Sequence, residues 1–459
     1  MTPNDAPALL ISPEWIAPVA SGPDILVGHT VIVQADRITG VLPREAASQL
    51  HPEAMHQELP GHLLIPGLVN AHTHAAMALL QGAADDLPLE RWLTERIWPM
   101  EGALMSEEFV HDGTILACHE MLMGGITTFN DMYFYPQACA RAALSLGMRA
   151  VLGIVVIDFP TAYGSGPQDY LAKGLALRDA MRHEDLISFT LAPHAPYSVA
   201  DAALTDVARL CAELQLPVHM HVHETEQEVA EHLERYGVRP LHRLERLGLL
   251  GPELIAVHAV HLNEAEMQLL ARHGASVVHC PHSNLKLGSG IAPVARMLEL
   301  GINLAIGTDG SASNNRLDLL QETRTASLLA KGASKDAAVF GAHRALRAAT
   351  LDAARALGCA DRIGSIEPGK QADLVSIDLA THSLQPIHDP ISHLIFSAGR
   401  ESVTNVWIAG QSVVVKRQMA NARARDALAD MRARKVMWHN RLGQFVPGSL
   451  QSGSALSRF

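Results

Sequence analysis

The stretch Pro66-Gly67-Leu68-Val69-Asn70-Ala71-His72-Thr73-His74 places two histidines, one residue apart, at the end of an apolar run. In a β-strand, side chains alternate between two faces, so His72 and His74 would point to the same side. Neutral imidazole is the commonest protein ligand of zinc and also suits iron. Two histidines at a strand end also occur without a metal, so the motif is informative only if the chain supplies further ligands.

Apolar strand-like runs continue along the chain and alternate with amphipathic helical patterns. After Leu68-Val69 they cover residues 126–129, 150–156, 187–192, 217–222, 254–258, 276–279 and 303–308. Eight strands separated by helices predict an α/β fold, a TIM-like (β/α)8 barrel. In such a barrel the catalytic groups lie at the carboxyl ends of the strands.

Both ends of the chain have a different pattern. Residues 1–60, 372–378 and 403–415 contain short β-branched runs separated by Gly, Pro and Asp. The simplest account is one small β domain formed from both termini, although two unrelated flanks fit the composition too. We predict three parts, namely a β domain from residues 1–66 and 364–425, a metal-dependent catalytic barrel from 67–363, and a helical tail at 426–459.

Composition limits the possible partners and location. The 459 residues are 48% hydrophobic and carry a formal net charge of −12, which argues against binding to nucleic acid or to an anionic membrane. The five cysteines form no Cys-x-x-Cys pair, as expected for reduced thiols. Residues 1–5 do not begin a signal peptide, and no apolar run reaches the ~18 residues that span a bilayer. We therefore expect a cytoplasmic protein.

Side chains that bind metals or carry protons follow five of the eight predicted strands. They are His72 and His74, His194, His219, His221 and His223 with Glu224, His258, and Asp309. A hydrolytic metal site needs protein ligands and an open position for water. The expected metal ligands are His72, His74, His221 and Asp309. The alternating histidines 219, 221 and 223 of the fifth strand share a face, so spacing alone does not choose among them.

Three residues near this site have predicted catalytic roles. Asp309 would accept the proton of the attacking water, and Glu224 would carry a proton to the substrate. His258 would hydrogen-bond the attacking group. Beyond Glu224, the stretch 225–228, which contains two glutamates, is expected to form the solvated first turn of a helix, where negative charge suits the helix dipole.

Four motifs together resemble the amidohydrolase superfamily in its mononuclear deaminase branch, over nearly the whole chain to about residue 440. They are residues 66–74, 221–224, 307–310 and 366–374. The family pattern places the strand-five ligand three positions before the glutamate, which selects His221. The resemblance also implies a β-sandwich from both termini beside the barrel, and a homo-oligomer.

The resemblance further implies one divalent metal ion. In binuclear barrels of this kind, a lysine at the end of the fourth strand bridges two metals, and residues 190–197 contain no lysine. Zinc is the expected ion and iron the alternative, because three histidines and an aspartate suit both.

Residues 89–93, 97–101, 192–197 and 283–293 resemble superfamily members that deaminate adenine nucleosides. This likeness implies that Trp92 packs against the nucleoside, that His194 contacts the purine or the sugar, and that Glu101 and Glu224 also contact substrate. Glu101 would accept hydrogen bonds from the ribose hydroxyls, which would disfavour a deoxyribose. Without the resemblance, Trp92 and Glu101 would fit an ordinary amphipathic helix.

The expected reaction is hydrolytic deamination of 5′-methylthioadenosine, S-adenosylhomocysteine or adenosine to the inosine analogue and ammonia. Some members of the group have arginines after the third strand that could meet the homocysteine carboxylate, but residues 153–163 contain none. Methylthioadenosine or adenosine therefore fits this chain better.

Two alternatives remain from the sequence. The same site could act on another ring, as a nucleobase deaminase or a triazine or chloro-triazine hydrolase, and Glu101 would then be dispensable. The chain could also be a non-catalytic relative that serves as an assembly partner. Loss of a predicted ligand would favour that reading, but none is lost.

Overall fold

The computed structural model describes residues 7–445, which are organised around two sheets. The amino-terminal part contributes five strands to a mixed sheet, namely β1 (Leu9–Ile16), β2 (Leu26–Val27), β3 (His29–Gln34), β4 (Arg37–Pro43) and β5 (Met55–Pro66). Strands β1 and β3 each have four consecutive buried residues, whereas Ile38 is the one buried residue of β4, at the edge of the sheet.

The second sheet has eight parallel strands that follow one another in chain order. They are β6 (Leu68–Thr73), β7 (Ile126–Asp131), β8 (Arg149–Val156), β9 (Ile187–Pro193), β10 (Val218–Val222), β11 (Leu254–His258), β12 (Ser276–His279) and β13 (Asn303–Ile306). Their residues are almost all buried, because helices cover the outside and side chains fill the interior. All eight coincide with predicted strands.

The first and last of these strands lie side by side and close the sheet into a barrel. Just beyond β13, the backbone N–H of Asp309 donates to the carbonyl oxygen of His72 at 3.0 Å. The amide of Asn70 accepts from the backbone N–H of Thr308 at 2.9 Å and donates to its hydroxyl at 2.7 Å. The predicted (β/α)8 barrel is confirmed.

Most helices surround the barrel or lie in the connections between its strands, and the helix Arg44–Leu50 contacts the mixed sheet. They are α1 (Arg44–Leu50), α2 (Leu89–Trp92), α3 (Trp98–Leu104), α4 (Glu107–Met123), α5 (Pro136–Leu146), α6 (Pro167–Ala180), α7 (Asp201–Leu214), α8 (Glu226–Tyr236), α9 (Pro240–Arg246), α10 (Glu264–His273), α11 (Pro281–Lys286), α12 (Val294–Glu299), α13 (Ser311–Asn314), α14 (Leu319–Ser334), α15 (Ala342–Ala348), α16 (Leu351–Ala356), α17 (Pro390–Phe396) and α18 (Ala422–Gly443). A π-helical turn, Leu93–Ile97, joins α2 to α3, so the segment after β6 that contains Trp92 and Glu101 is helical.

The carboxyl-terminal part returns to the mixed sheet with four strands, namely β14 (Leu374–Asp378), β15 (Val403–Ile408), β16 (Gln411–Val415) and β17 (Gln418–Met419). Strand β14 pairs with β5 in antiparallel register, with Leu374 opposite Pro66. The β-sandwich built from both termini is therefore confirmed. The exact division at residues 66/67, 363/364 and 425/426 stays a prediction.

A buried ion pair connects this sheet to the barrel. The guanidinium of Arg149, at the start of β8, donates to both carboxylate oxygens of Asp373 at 3.0 and 3.1 Å. The backbone N–H of Gly67, just before β6, donates to the carbonyl oxygen of Asp373 at 2.8 Å. The first barrel strand is thus fixed to the segment that leads into β14.

Helix α18 lies against α4, so it packs on the rest of the protein. The indole N–H of Trp438 donates to the buried carboxylate of Asp112 at 2.8 Å, and Arg434 pairs with the same carboxylate at 2.7 Å. The helix begins at Ala422, four residues before the predicted tail, and residues 446–459 of that tail lie outside the described part. Among residues 7–445, no helix has the length and apolarity to cross a membrane.

Candidate active site

The carboxyl end of the barrel brings together the four predicted metal ligands. The Nε2 atoms of His72 and His74 each lie 3.2 Å from Oδ1 of Asp309. Nε2 of His221 lies 3.3 Å from Nε2 of His72. Ligand atoms about 2.0 Å from a tetrahedral ion are separated from one another by about 3.3 Å. These three separations match that spacing, and His72 belongs to two groups whose ligand atoms lie within 4.8 Å of one another, one with His74 and Asp309 and one with His221 and His258.

Hydrogen bonds at the opposite ring nitrogens orient two of these histidines. Nδ1 of His74 lies 2.6 Å from the carbonyl oxygen of Met132, and Nδ1 of His221 lies 2.9 Å from that of His194. A carbonyl oxygen only accepts, so each Nδ1 donates a proton, and in its neutral form each ring turns an Nε2 lone pair toward the site. Lone pairs and a carboxylate that converge in this way fit a divalent metal ion.

The electrostatics of the site favour positive charge beside Asp309. Burial lowers the pKa of His74, but the hydrogen bond and charge of Asp309 outweigh burial and raise that pKa to about 9. At His72 burial dominates over Asp309 and lowers the pKa to about 4. Burial would raise the pKa of Asp309, yet the two histidines hold it well below its ordinary value. Asp309 is therefore ionised and able to bind a cation.

Two serines that the sequence analysis missed hold the second oxygen of Asp309. The hydroxyls of Ser283 and Ser313 donate to Oδ2 at 2.6 and 3.0 Å. Asp309 follows β13 with a φ of 59°, and a Cβ on Gly307 would lie 2.9 Å from the Cβ of His72. Glycine at 307 therefore lets the last strand approach the first closely enough for Asp309 to reach the histidines.

His258 and Glu224 border the metal ligands. Nε2 of His258 lies 3.6 Å from Oε2 of Glu224, and Nδ1 of His258 lies 2.8 Å from Oδ1 of Asn284. Ring nitrogens of His72, His221 and His258 all lie within 4.8 Å of one another. Burial raises the pKa of Glu224, although the neighbouring His258 opposes it. A glutamate with a raised pKa is suited to give and take a proton.

The three histidines of the fifth barrel strand occupy different places. His221 faces the other three predicted metal ligands. His219 lies behind His72, with its Nε2 2.8 Å from Nδ1 of His72. The expectation that His223 shares their face is wrong. Strand β10 ends at Val222, and His223 has a φ of 57°, which turns its ring toward the carbonyl oxygen of His261.

The acidic turn after Glu224 also differs in part from the expectation. Glu226 is solvated, with a side chain 89% exposed. Glu228 is buried, and its carboxylate accepts from the backbone N–H groups of His223 and Glu224. The prediction of a wholly solvated first turn is therefore wrong for Glu228. A helical pattern does not show that a side chain folds back over the preceding residues.

Glu101 lies in the cavity above the metal ligands with a partner that the sequence analysis missed. The hydroxyl of Tyr133 donates to Oε1 of Glu101 at 2.6 Å. Burial raises the pKa of Glu101 to about 7, although Tyr133 and His74 oppose the shift. The position of Tyr133, just after the end of β7, is the sequence signal that could have pointed to it.

Trp92 and His194 line the same cavity. The indole N–H of Trp92 donates to the carbonyl oxygen of Ala84 at 3.0 Å, which anchors the ring. Nδ1 of His194 lies 2.8 Å from the hydroxyl oxygen of Ser198, and burial lowers the pKa of His194 to about 3. All the predicted site residues except His72 thus line one cavity, and the fully buried His72 lies behind its wall. The rim carries Trp98 and Phe159, with ring centroids 6.0 Å apart.

The cavity wall carries carboxylates and also His74, whose pKa is raised. Glu101, Glu224 and Asp309 line it, whereas no lysine or arginine of residues 7–445 does so. The segment after β8 contributes Ile157, Phe159 and uncharged neighbours to the wall. The cavity therefore suits a neutral molecule with apolar surface.

Comparisons with known proteins identify the family of this chain. The model of the amidohydrolase family matches residues 63–413. A curated 5-methylthioadenosine/S-adenosylhomocysteine deaminase from Teredinibacter turnerae is 44% identical, over 94% of this chain and 96% of that protein. A protein of the same name from Saccharophagus degradans is 45% identical, over 92% of this chain and 95% of its own length.

Two solved structures are similar to this chain. The crystal structure of an adenosine deaminase from Xanthomonas campestris with bound zinc has a TM-score of 0.90 and 48% identity, covering 95% of this chain and 98% of that chain. The atrazine chlorohydrolase of Arthrobacter aurescens has a TM-score of 0.85 at 23% identity, covering 93% and 99% of the two chains, and shows the shared fold alone. Both the family model and the curated relatives cover most of the sequence, and the chain therefore belongs to the amidohydrolase family.

Proposed function

We propose that this protein catalyses hydrolytic deamination of an adenine nucleoside at C6, releasing the inosine analogue and ammonia. One observation carries the proposal. The Nε2 atoms of His72 and His74 each lie 3.2 Å from Oδ1 of Asp309, and Nε2 of His221 lies 3.3 Å from that of His72, beside the cavity that Glu224 and Glu101 line. The names of the curated relatives and of the zinc-bound structure from Xanthomonas campestris support the same reaction.

His72, His74, His221 and Asp309 would hold the metal, and zinc is the ion we propose, with iron as the alternative. A bound divalent ion lowers the pKa of a water ligand toward neutrality and so supplies a nucleophile. Three neutral nitrogen ligands and one carboxylate suit zinc, and they also suit iron.

The protein's own side chains would move the protons. The attacking water would give one proton to Asp309, while Glu224 protonates N1 of the purine as oxygen adds to C6. The proton on Asp309 would then pass to the amino group, and ammonia would leave as the new hydroxyl returns a proton to Glu224. His258, 3.6 Å from Glu224, would hydrogen-bond the attacking oxygen. Both carboxyl groups end the cycle in their starting states.

Glu101 would bind the ribose. Its carboxylate accepts from Tyr133 through one oxygen and can accept from a vicinal diol through the remaining lone pairs. Trp92 would pack against the nucleoside, and His194 would contact the purine or the sugar. A purine without a ribose would lose the contact with Glu101.

The 5′ substituent should be uncharged. A homocysteine carboxylate would find no lysine or arginine to pair with among the described residues of the cavity wall. We therefore rank methylthioadenosine and adenosine above S-adenosylhomocysteine.

We also propose that the protein is a cytoplasmic homo-oligomer. All five cysteines lie within the described residues as free thiols, which suits a reducing compartment. Light scattering during size-exclusion chromatography measures the mass directly, and a monomer would contradict the oligomer.

A diode-array assay of the zinc-loaded protein tests the reaction. The substrates compared would be adenosine, methylthioadenosine, S-adenosylhomocysteine, adenine, guanine and a triazine. The ultraviolet spectrum of each would be followed, and the change from adenine to hypoxanthine would report deamination of the adenine compounds. We expect turnover of the nucleosides and none of adenine. Activity restricted to a free base or to the triazine would contradict the proposal and the ribose role of Glu101.

A further inference from the structure

A buried carboxylate without a role in the proposed reaction holds the turn that carries Glu224. Glu228, in the first turn of α8, is buried. Its Oε1 accepts from the backbone N–H of His223 at 3.0 Å, and its Oε2 accepts from that of Glu224 at 2.7 Å. Burial raises the pKa of Glu228 to about 8, while the N–H groups of three consecutive residues, 223–225, oppose that shift. These N–H groups form a small nest around the carboxylate.

The turn is tied from a second side as well. The hydroxyl of Thr225 accepts from the backbone N–H of Glu228 at 3.1 Å, which caps the start of α8. In a usual capping box, the third helical residue reaches back to the N–H of the capping residue. Glu228 reaches one and two residues further back, to Glu224 and His223. The tie therefore lies on the backbone of the predicted catalytic glutamate itself.

The backbone at this point needs such a tie. His223 has a φ of 57°, a conformation that is uncommon for residues other than glycine. Buried N–H groups also need acceptors, because an unpaired buried donor costs about 1–3 kcal/mol. Glu228 supplies acceptors to both residues on either side of the sharp change in direction after β10.

Building on the proposed function, we propose that Glu228 is a positioning residue whose two oxygens hold the His223–Glu224 backbone so that Glu224 points into the active site. Glu228 is absent from the cavity wall, so it does not touch substrate. It acts through Glu224 alone. The metal ligand His221 precedes the turn and keeps its own hydrogen bonds to His194.

The variant Glu228→Gln tests this role. The amide has one acceptor oxygen, so one backbone N–H would face an NH₂ group instead. A displaced catalytic group costs up to about 100-fold in rate, so we expect kcat to fall by about 10- to 100-fold, with a smaller change in KM and an unchanged zinc content. The matched control is Glu226→Gln, which makes the same substitution at an exposed position of the same turn and should leave kcat unchanged.

A double-mutant cycle separates positioning from a general structural effect. If Glu228 acts only through Glu224, the double variant Glu224→Gln/Glu228→Gln has the same kcat as Glu224→Gln alone. Losses that multiply would overturn the proposal. If Glu228→Gln does not fold, Thr225→Val loosens the second side of the turn, and its loss of kcat should likewise disappear in the Glu224→Gln background.

The experiment also distinguishes this proposal from the proposed function. A wild-type protein without activity on any nucleoside would contradict the function. An active wild type, with a folded Glu228→Gln variant at full kcat, would leave the function intact and overturn only the positioning role.

Discussion

Nδ1 of His72 lies 2.8 Å from Nε2 of His219, and both rings are fully buried in the barrel. If Nε2 of His72 binds a metal, Nδ1 carries the proton and donates it to His219. Contacts of this kind fix the tautomer and the orientation of a metal-binding histidine. His219 therefore supports the metal site although it is too far inside the barrel to line the cavity.

The variant His219→Phe should weaken metal binding. Loss of such a supporting hydrogen bond typically costs about 10- to 100-fold in affinity, and we expect that range here. Competition with a chelator of known zinc affinity measures it. His279→Phe, at a buried histidine of the next but one strand whose ring makes no hydrogen bond to a predicted ligand, is the control. Equal losses in both variants would contradict a specific role of His219.

The pH dependence of substrate binding should report the carboxyl group of Glu101. Because burial raises its pKa to about 7, the group gains a proton as the pH falls through neutrality. The protonated form has fewer acceptor sites for the ribose hydroxyls, so KM should rise toward acid pH and level off on the alkaline side. Steady-state kinetics of adenosine across neutral pH measure this change. In Glu101→Gln that dependence should be absent, and an unchanged profile would contradict the ribose contact.

The variant Glu224→Gln should lose most of its activity while keeping its metal. A proton carrier in the transition state contributes about 10²- to 10⁴-fold, and we expect kcat to fall within that range. Zinc content by elemental analysis should match the wild type, because Glu224 is not among the four converging ligand atoms. A variant that retains full kcat would exclude Glu224 as the proton carrier.

The contact between α18 and α4 should contribute to stability without affecting catalysis. Trp438 is 2% exposed and donates to Asp112. Removal of a buried tryptophan costs about 3–5 kcal/mol, so Trp438→Ala should lower the Tm clearly and leave KM unchanged. Val436→Ala, at a position 48% exposed on the same helix, is the comparison and should leave the Tm nearly unchanged. Equal Tm values for the two variants would show that α18 contributes little.

The sequence predicted the barrel because its evidence is local. Each strand is an apolar run, and polar side chains such as His258 come directly where a run ends. Since the carboxyl ends of parallel strands meet at one end of a barrel, chain order alone predicted that the polar residues following those strands lie close together. Trp92 and Glu101 were located only through family resemblance, because they lie in the helices after β6 and not at the end of a strand.

Other parts of the site depend on information that a linear pattern lacks. The ring of His223 leaves the expected face because one backbone angle changes sign. The hydroxyls of Ser283, in α11, and of Tyr133, in the loop after β7, meet Asp309 and Glu101 only in the folded chain. Glu228 is buried because its side chain folds back over the turn before its own helix. Each of these contacts is decided by tertiary structure.

The most direct test of the central claim is a zinc titration of the metal-depleted protein, with methylthioadenosine deamination followed at each addition. We predict that activity rises linearly and reaches its plateau at one equivalent of zinc. Full activity without metal, a plateau at two equivalents, or no nucleoside deamination at any zinc level would contradict the account of a mononuclear nucleoside deaminase.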